Sequence, residues 1–227
     1  MDRRRRLPAS RQPTRNLLPG ELFCERTPQC VGTVLGSCVA VCLWDTQLRF
    51  GGMNHFLLPN RPSNGDLSFK FGDVAVPALV DAMLALGSHP RHLQAKLFGG
   101  AYVLHAGDPA FAVGRRNVEV ALIELRRRKI PIVASRLSGT QGLVIRQCTD
   151  CGDVWVRPTG ARERAGQPAA DAEDILCSLD DIATAMVVRA ESGLPVAVRT
   201  RSAARVSVGG SCEACLPPSF DRWDAVV

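Results

Sequence analysis

Residues 38–44 form an uncharged run in which Val39, Val41 and Leu43 alternate with Cys38, Ala40 and Cys42. Period-two alternation marks a β-strand, whose successive side chains point to opposite faces. A second apolar stretch, residues 51–59, follows after a short polar break. Together they predict a hairpin turning at Thr46-Gln47, with Asp45 opposite Leu48, Leu43 opposite Phe50 and Cys38 opposite His55. Directly opposed residues share a face with Cβ atoms about 4.5–5.5 Å apart. This register therefore brings a thiol to an imidazole.

Further along, Leu79, Ala82, Met83 and Leu86 keep helical spacing, with Asp73 and Pro77 near the start and Gly87 at the end. Residues 93–97 and 101–104 predict two strands separated by Gly99-Gly100. Val118, Ala121, Leu122 and Leu125 draw a second helical stripe that ends in Arg126-Arg127-Arg128-Lys129. Four cations suit the negative end of a helix dipole, so this run is a solvated helix end rather than a binding patch. Strands are expected at residues 130–133, 142–145 and 154–156. Helices interleaved with strands predict a layered α/β domain.

Composition refines this picture. A chain of 227 residues, 46% of them hydrophobic, can bury a full core. The net charge of +6 is concentrated at one end: residues 1–20 hold six arginines and one aspartate, leaving a nearly neutral body. That distribution predicts a basic flexible tail over residues 1–20 and argues against nucleic-acid binding by the body. Residues 21–158 form the expected domain. Residues 159–227 read as an extension, with a linker over 160–174 and a short amphipathic stripe of Ile175, Leu179, Ile182 and Met186. No apolar run approaches the roughly 20 residues needed to span a bilayer, and the N-terminus lacks an apolar signal segment. The expected location is cytoplasmic without membrane insertion, where the nine cysteines would stay reduced.

Cys38 and His55 are the candidates for chemistry. A thiol is activated when a base within hydrogen-bond reach takes its proton. Cys38 follows Gly36-Ser37, a turn signal that places the sulfur near backbone N–H groups able to stabilise an oxyanion. Gly51-Gly52 removes side chains near His55, as where another backbone or a substrate approaches closely. A buried structural cysteine and a satisfied core histidine are the competing reading. Two Cys-x-x-Cys pairs, Cys148/Cys151 and Cys212/Cys215, resemble zinc knuckles, but their separation exceeds usual ribbon spacing and Cys148-Thr149-Asp150-Cys151-Gly152 fits a hairpin turn.

Several ordered blocks resemble the CheD family of chemoreceptor glutamine deamidases: Leu35-Gly36-Ser37-Cys38-Val39-Ala40-Val41-Cys42-Leu43, Gly52-Met53-Asn54-His55-Phe56, Phe71-Gly72-Asp73-Val74-Ala75, Ala95-Lys96-Leu97-Phe98-Gly99-Gly100-Ala101 and Val113-Gly114-Arg115-Arg116-Asn117-Val118. Ile130-Pro131-Ile132-Val133-Ala134 closes the series, and the resemblance ends near Pro158. It implies an α/β sandwich with a catalytic β-hairpin and a catalytic set of Cys38, His55 and Thr33, the threonine orienting the imidazole. Gly36, Ser37 and Asn54 are the expected oxyanion or substrate-approach residues. The implied reaction converts receptor glutamine to glutamate through a Cys38 thioester, with no cofactor or metal. The implied partners are methyl-accepting chemotaxis receptors and the phosphatase CheC. The alternative is a non-catalytic adaptor for receptors or signalling proteins, against which the presence of both Cys38 and His55 argues, because binding alone needs neither.

Overall fold

Among the described residues, two five-stranded sheets face one another, and two α-helices cover the far side of one of them. The computed structural model describes residues 14–63, 65–101, 109–159 and 224–226. The first sheet has the order β1 (Thr14–Asn16), β3 (Cys30–Leu35), β8 (Leu143–Cys148), β9 (Val154–Pro158), β10 (Asp224–Val226). The second has the order β2 (Leu22–Glu25), β5 (Phe50–Asn54), β4 (Val39–Asp45), β6 (Leu93–Gly99), β7 (Ile132–Leu137). Helices α1 (Gly72–Ala85) and α2 (Pro109–Arg127) pack on the second sheet.

Strand β4 shows why three layers form. Its Val39, Val41 and Leu43 pack against Ala75, Val76, Leu79, Val80 and Met83 of α1 and against Val118, Ala121 and Leu125 of α2. The opposite face, Ala40 and Cys42, packs with Val31, Leu35, Ile145, Val154 and Val156 of the first sheet. Burial on both faces makes the strand an almost unbroken apolar run, and each large side chain removed from water contributes about 1.5–3 kcal/mol.

The predicted helices are present, and Arg127 and Arg128 at the end of α2 pair with the Glu124 carboxylate. The hairpin register differs from the expected one. Asp45 pairs with Phe50, Leu43 with Gly52 and Cys42 with Met53. The connection is a four-residue loop rather than a two-residue turn. Asp45 Oδ1 accepts from the N–H groups of Gln47 and Leu48, both at 2.8 Å, the Asp45 carbonyl accepts from Arg49 N–H, and Arg49 takes the left-handed φ of 54°. The shift is two residues, so every side chain keeps its face.

Other boundaries also move. Thr14–Asn16 pairs in parallel with β3 and Leu17 is buried, so residues assigned from sequence to the tail belong to the fold. Asp224–Val226 pairs with β9, so the extension returns a strand to the first sheet. Ala101 lies outside any strand, while residues 102–104, the basic tip to residue 13, the stripe at 175–186 and Cys212/Cys215 lie outside the described residues.

Candidate active site

Residues 36–38 carry the chain from β3 in the first sheet to β4 in the second, which sets Cys38 at the rim between the sheets. Cys38 is half-buried and packs against the inter-sheet core. His55 immediately follows β5 and is 2% exposed. The bridge between Val39 and Phe56 continues the observed register and places Ala40, not Cys38, opposite His55. Cys38 is therefore the diagonal neighbour on the same face, at a Cβ separation of about 7 Å or somewhat less. The two candidates lie just beyond the ends of the hairpin strands.

Thr33 projects from β3 across the gap. Its Oγ1 lies 2.8 Å from His55 Nδ1 and donates to the Leu17 carbonyl at 2.9 Å. A carbonyl can only accept, so the single hydroxyl proton goes to Leu17 and the Thr33 oxygen accepts from His55 Nδ1–H. This tautomer leaves Nε2 with a free lone pair, and that atom is buried without a hydrogen-bond partner among the described residues. Burial pushes the imidazole down to about 4, opposed by the Leu17 carbonyl and the Glu21 carboxylate. Burial likewise raises the Cys38 thiol, opposed by its own backbone N–H. Both groups are thus neutral near pH 7: a thiol and a neutral base on one face of the sheet.

The imidazole backbone is pinned as well. His55 N–H donates to the Glu21 carbonyl, and the His55 carbonyl accepts from Gly20 N–H. Asn54 points to the opposite face from His55, because adjacent strand residues alternate. Its Oδ1 accepts from Val41 N–H at 2.9 Å, replacing a ladder rung. It thus braces the hairpin from the helix side. Gly51 and Gly52 are needed for close approach of neighbouring backbone: a Cβ on them would meet the carbonyls of Leu43 and Phe23 at 2.6 Å.

Asn117 of α2 is a residue that sequence reasoning named only within a block. Fully buried, it donates through Nδ2 to the Ser37 carbonyl at 3.0 Å and to the Leu57 carbonyl at 2.8 Å. One amide thereby ties the segment before Cys38 to the segment after His55. The Gly36 carbonyl accepts from Ala101 N–H and the Cys38 carbonyl from Gly100 N–H. Gly99, at φ 105°, has no room for a Cβ beside the Cys38 carbonyl oxygen. A signal for Asn117 was present, an asparagine on the buried stripe of a helix, but its two acceptors are distant in sequence. No group of three or more metal-ligating side chains is gathered among the described residues. A cavity of about 300 Å³ lined by Trp44, Lys96, Gln147 and Asp153 includes neither Cys38 nor His55.

Residues 57–158 match the family model described as CheD chemotactic sensory transduction. The chain is 48% identical over 141 residues to a probable chemoreceptor glutamine deamidase CheD of Rhodospirillum rubrum, spanning 62% of this chain and 80% of that protein. The chain belongs to the CheD family. Proteins of the same name from Trichlorobacter lovleyi and Sulfurimonas denitrificans are 42% and 41% identical over 138 residues, covering 86% and 88% of their lengths and 61% and 60% of this chain. The family model begins two residues after His55, so it does not itself cover Thr33, Cys38 and His55.

Proposed function

We propose that this CheD-family protein is a protein-glutamine deamidase that converts glutamines of chemoreceptors to glutamate, with Cys38 as nucleophile, His55 as general base and Thr33 as the residue that orients the base. The observation that carries the reading is the Thr33–His55 contact, which commits Nδ1 as donor and leaves Nε2 as the acceptor on the face that Cys38 shares. The chemistry follows from neutral partners. As Cys38 Sγ attacks the side-chain amide carbon, its proton passes to His55 Nε2, and a tetrahedral oxyanion forms. The peptide N–H of Cys38 is suited to stabilise that oxygen. Its plane is set by the Ser37 carbonyl in the same peptide unit, which Asn117 holds.

Protonated His55 then gives its proton to the departing nitrogen. The C–N bond breaks, ammonia leaves and a thioester remains on Cys38. Water attacks the thioester carbon while neutral His55 takes its proton. The C–S bond breaks, the thiolate recovers that proton, and glutamate is released. Gly36 and Ser37 shape the approach through their turn, whereas Asn54 supports the hairpin from the other face and does not meet the substrate. Incubation of a receptor cytoplasmic fragment with the wild-type protein, followed by peptide mass analysis, should show amide-to-acid conversion at glutamine. Cys38→Ala should show none. Conversion that persisted in a folded Cys38→Ala protein would remove the nucleophile.

A further inference from the structure

We propose that Leu18, Leu58, Leu67 and Phe69 form an apolar docking surface beside Cys38, and that its occupant is the apolar face of a receptor helix carrying the target glutamine. The surface serves the deamidation proposed above and rests on that reading. Seven large hydrophobic side chains are exposed among the described residues, and these four, at 65%, 42%, 65% and 37% exposure, gather on two segments joined to the site. Singly scattered apolar side chains are ordinary, whereas an apolar cluster beside a reactive group marks an interaction surface.

Backbone hydrogen bonds assemble the cluster. The N–H groups of Leu57 and Leu58 both donate to the Lys70 carbonyl, at 2.9 and 3.0 Å, and Gly72 N–H donates to the Leu58 carbonyl. The loop carrying Leu67 and Phe69 therefore folds back on the segment that follows His55. Gly20 N–H donates to the His55 carbonyl, and a Cβ on Gly20 would stand 3.0 Å from Lys70 Cγ, which brings the turn holding Leu18 against the same loop. The Asn117 amide joins the Leu57 carbonyl to the Ser37 carbonyl, so the loop borders the residue before the nucleophile.

The backbone around the site also selects the occupant. Strands β3, β4 and β5, whose ends make the site, each have a strand on both sides, and the carbonyls of Gly36, Ser37, Cys38 and Val39 already accept from Ala101, Asn117, Gly100 and Phe56. Among the described residues, no open strand edge lies beside the sulfur for an extended substrate to join. A helix satisfies its own backbone and docks through side chains spaced three and four residues apart. Its apolar face suits the three leucines and the phenylalanine, and a glutamine at the border of that face reaches the rim where Cys38 sits.

The test measures conversion and binding of a receptor cytoplasmic fragment by the full chain. Leu67→Asp and Phe69→Asp should each raise KM roughly tenfold with kcat nearly unchanged, the change expected when about half the burial of one large apolar side chain is lost. Leu67→Met and Phe69→Leu should keep the wild-type KM. Leu48→Asp, at a comparably exposed apolar position in the loop at the far end of β4, should do the same. In a Cys38→Ala background the two Asp variants should raise Kd by the same factor, and a proline placed in the fragment four residues before the modified glutamine should abolish binding. A wild-type KM in both Asp variants, or an equal loss in Leu48→Asp, would overturn the docking surface. Full binding of the proline fragment would overturn the helical occupant. No conversion by the wild type, together with selective loss of binding in the Asp variants, would instead defeat the deamidase reading and leave the surface standing.

Discussion

Lowering the pH should destabilise this protein through His55 in a predictable window. An unfolded histidine titrates near 6.5, whereas the buried imidazole is pushed down to about 4. Between these values the unfolded chain binds a proton that the folded chain refuses, so stability rises with pH across the window and is lost as pH falls through it. At about 1.36 kcal/mol per pKa unit, a drop from pH 7 to pH 4 costs roughly 3 kcal/mol through this one group. The assay is urea unfolding at several pH values for the wild type and for His55→Asn, which cannot titrate. Carboxylates contribute to both, so the difference between the two curves isolates the imidazole. The wild type should lose about 3 kcal/mol more than the variant over this range. Parallel curves, or an NMR titration of His55 with a midpoint near 6.5, would refute the argument that burial holds the ring neutral.

Two substitutions probe the supports of the site. Thr33→Val keeps the shape and removes the hydroxyl between Nδ1 and the Leu17 carbonyl, so denaturant unfolding should show a loss of about 1–3 kcal/mol. Nitrogen shifts of His55 should then show a weaker preference for the Nδ1–H tautomer, and an unchanged tautomer would deny Thr33 its orienting part. Asn117→Leu leaves the Ser37 and Leu57 carbonyls without their donor, and deamidation should fall about 10²-fold in kcat with little change in KM. A change confined to KM would place Asn117 in substrate binding instead.

The two helices were legible from spacing alone, because a helix covering a sheet must show an apolar stripe at 3.6-residue intervals, as Leu79 and Met83 do in α1 and Val118 and Leu125 do in α2. The strand at residues 39–45 was equally plain. Its pairing was not, because Thr46-Gln47 carries no signal that distinguishes a two-residue turn from a loop capped by the Asp45 side chain. Local sequence also pointed to Cys38 and His55 as a thiol and an imidazole near the ends of one hairpin. The alternation of faces survived the shift in register because that shift was even.

What period and composition determined, then, was which segments become strands and helices and which side chains share a face, since these depend on neighbours a few residues apart. The tertiary structure alone decided that Thr33 of one sheet meets His55 of the other, that Leu17 takes the threonine proton, and that Asn117 spans Ser37 and Leu57. The burial that lowers the His55 pKa is of the same kind. Each requires two sheets and a helix to close on one another, and the free energy of that closure comes from apolar surface gathered from the whole chain rather than from any local run.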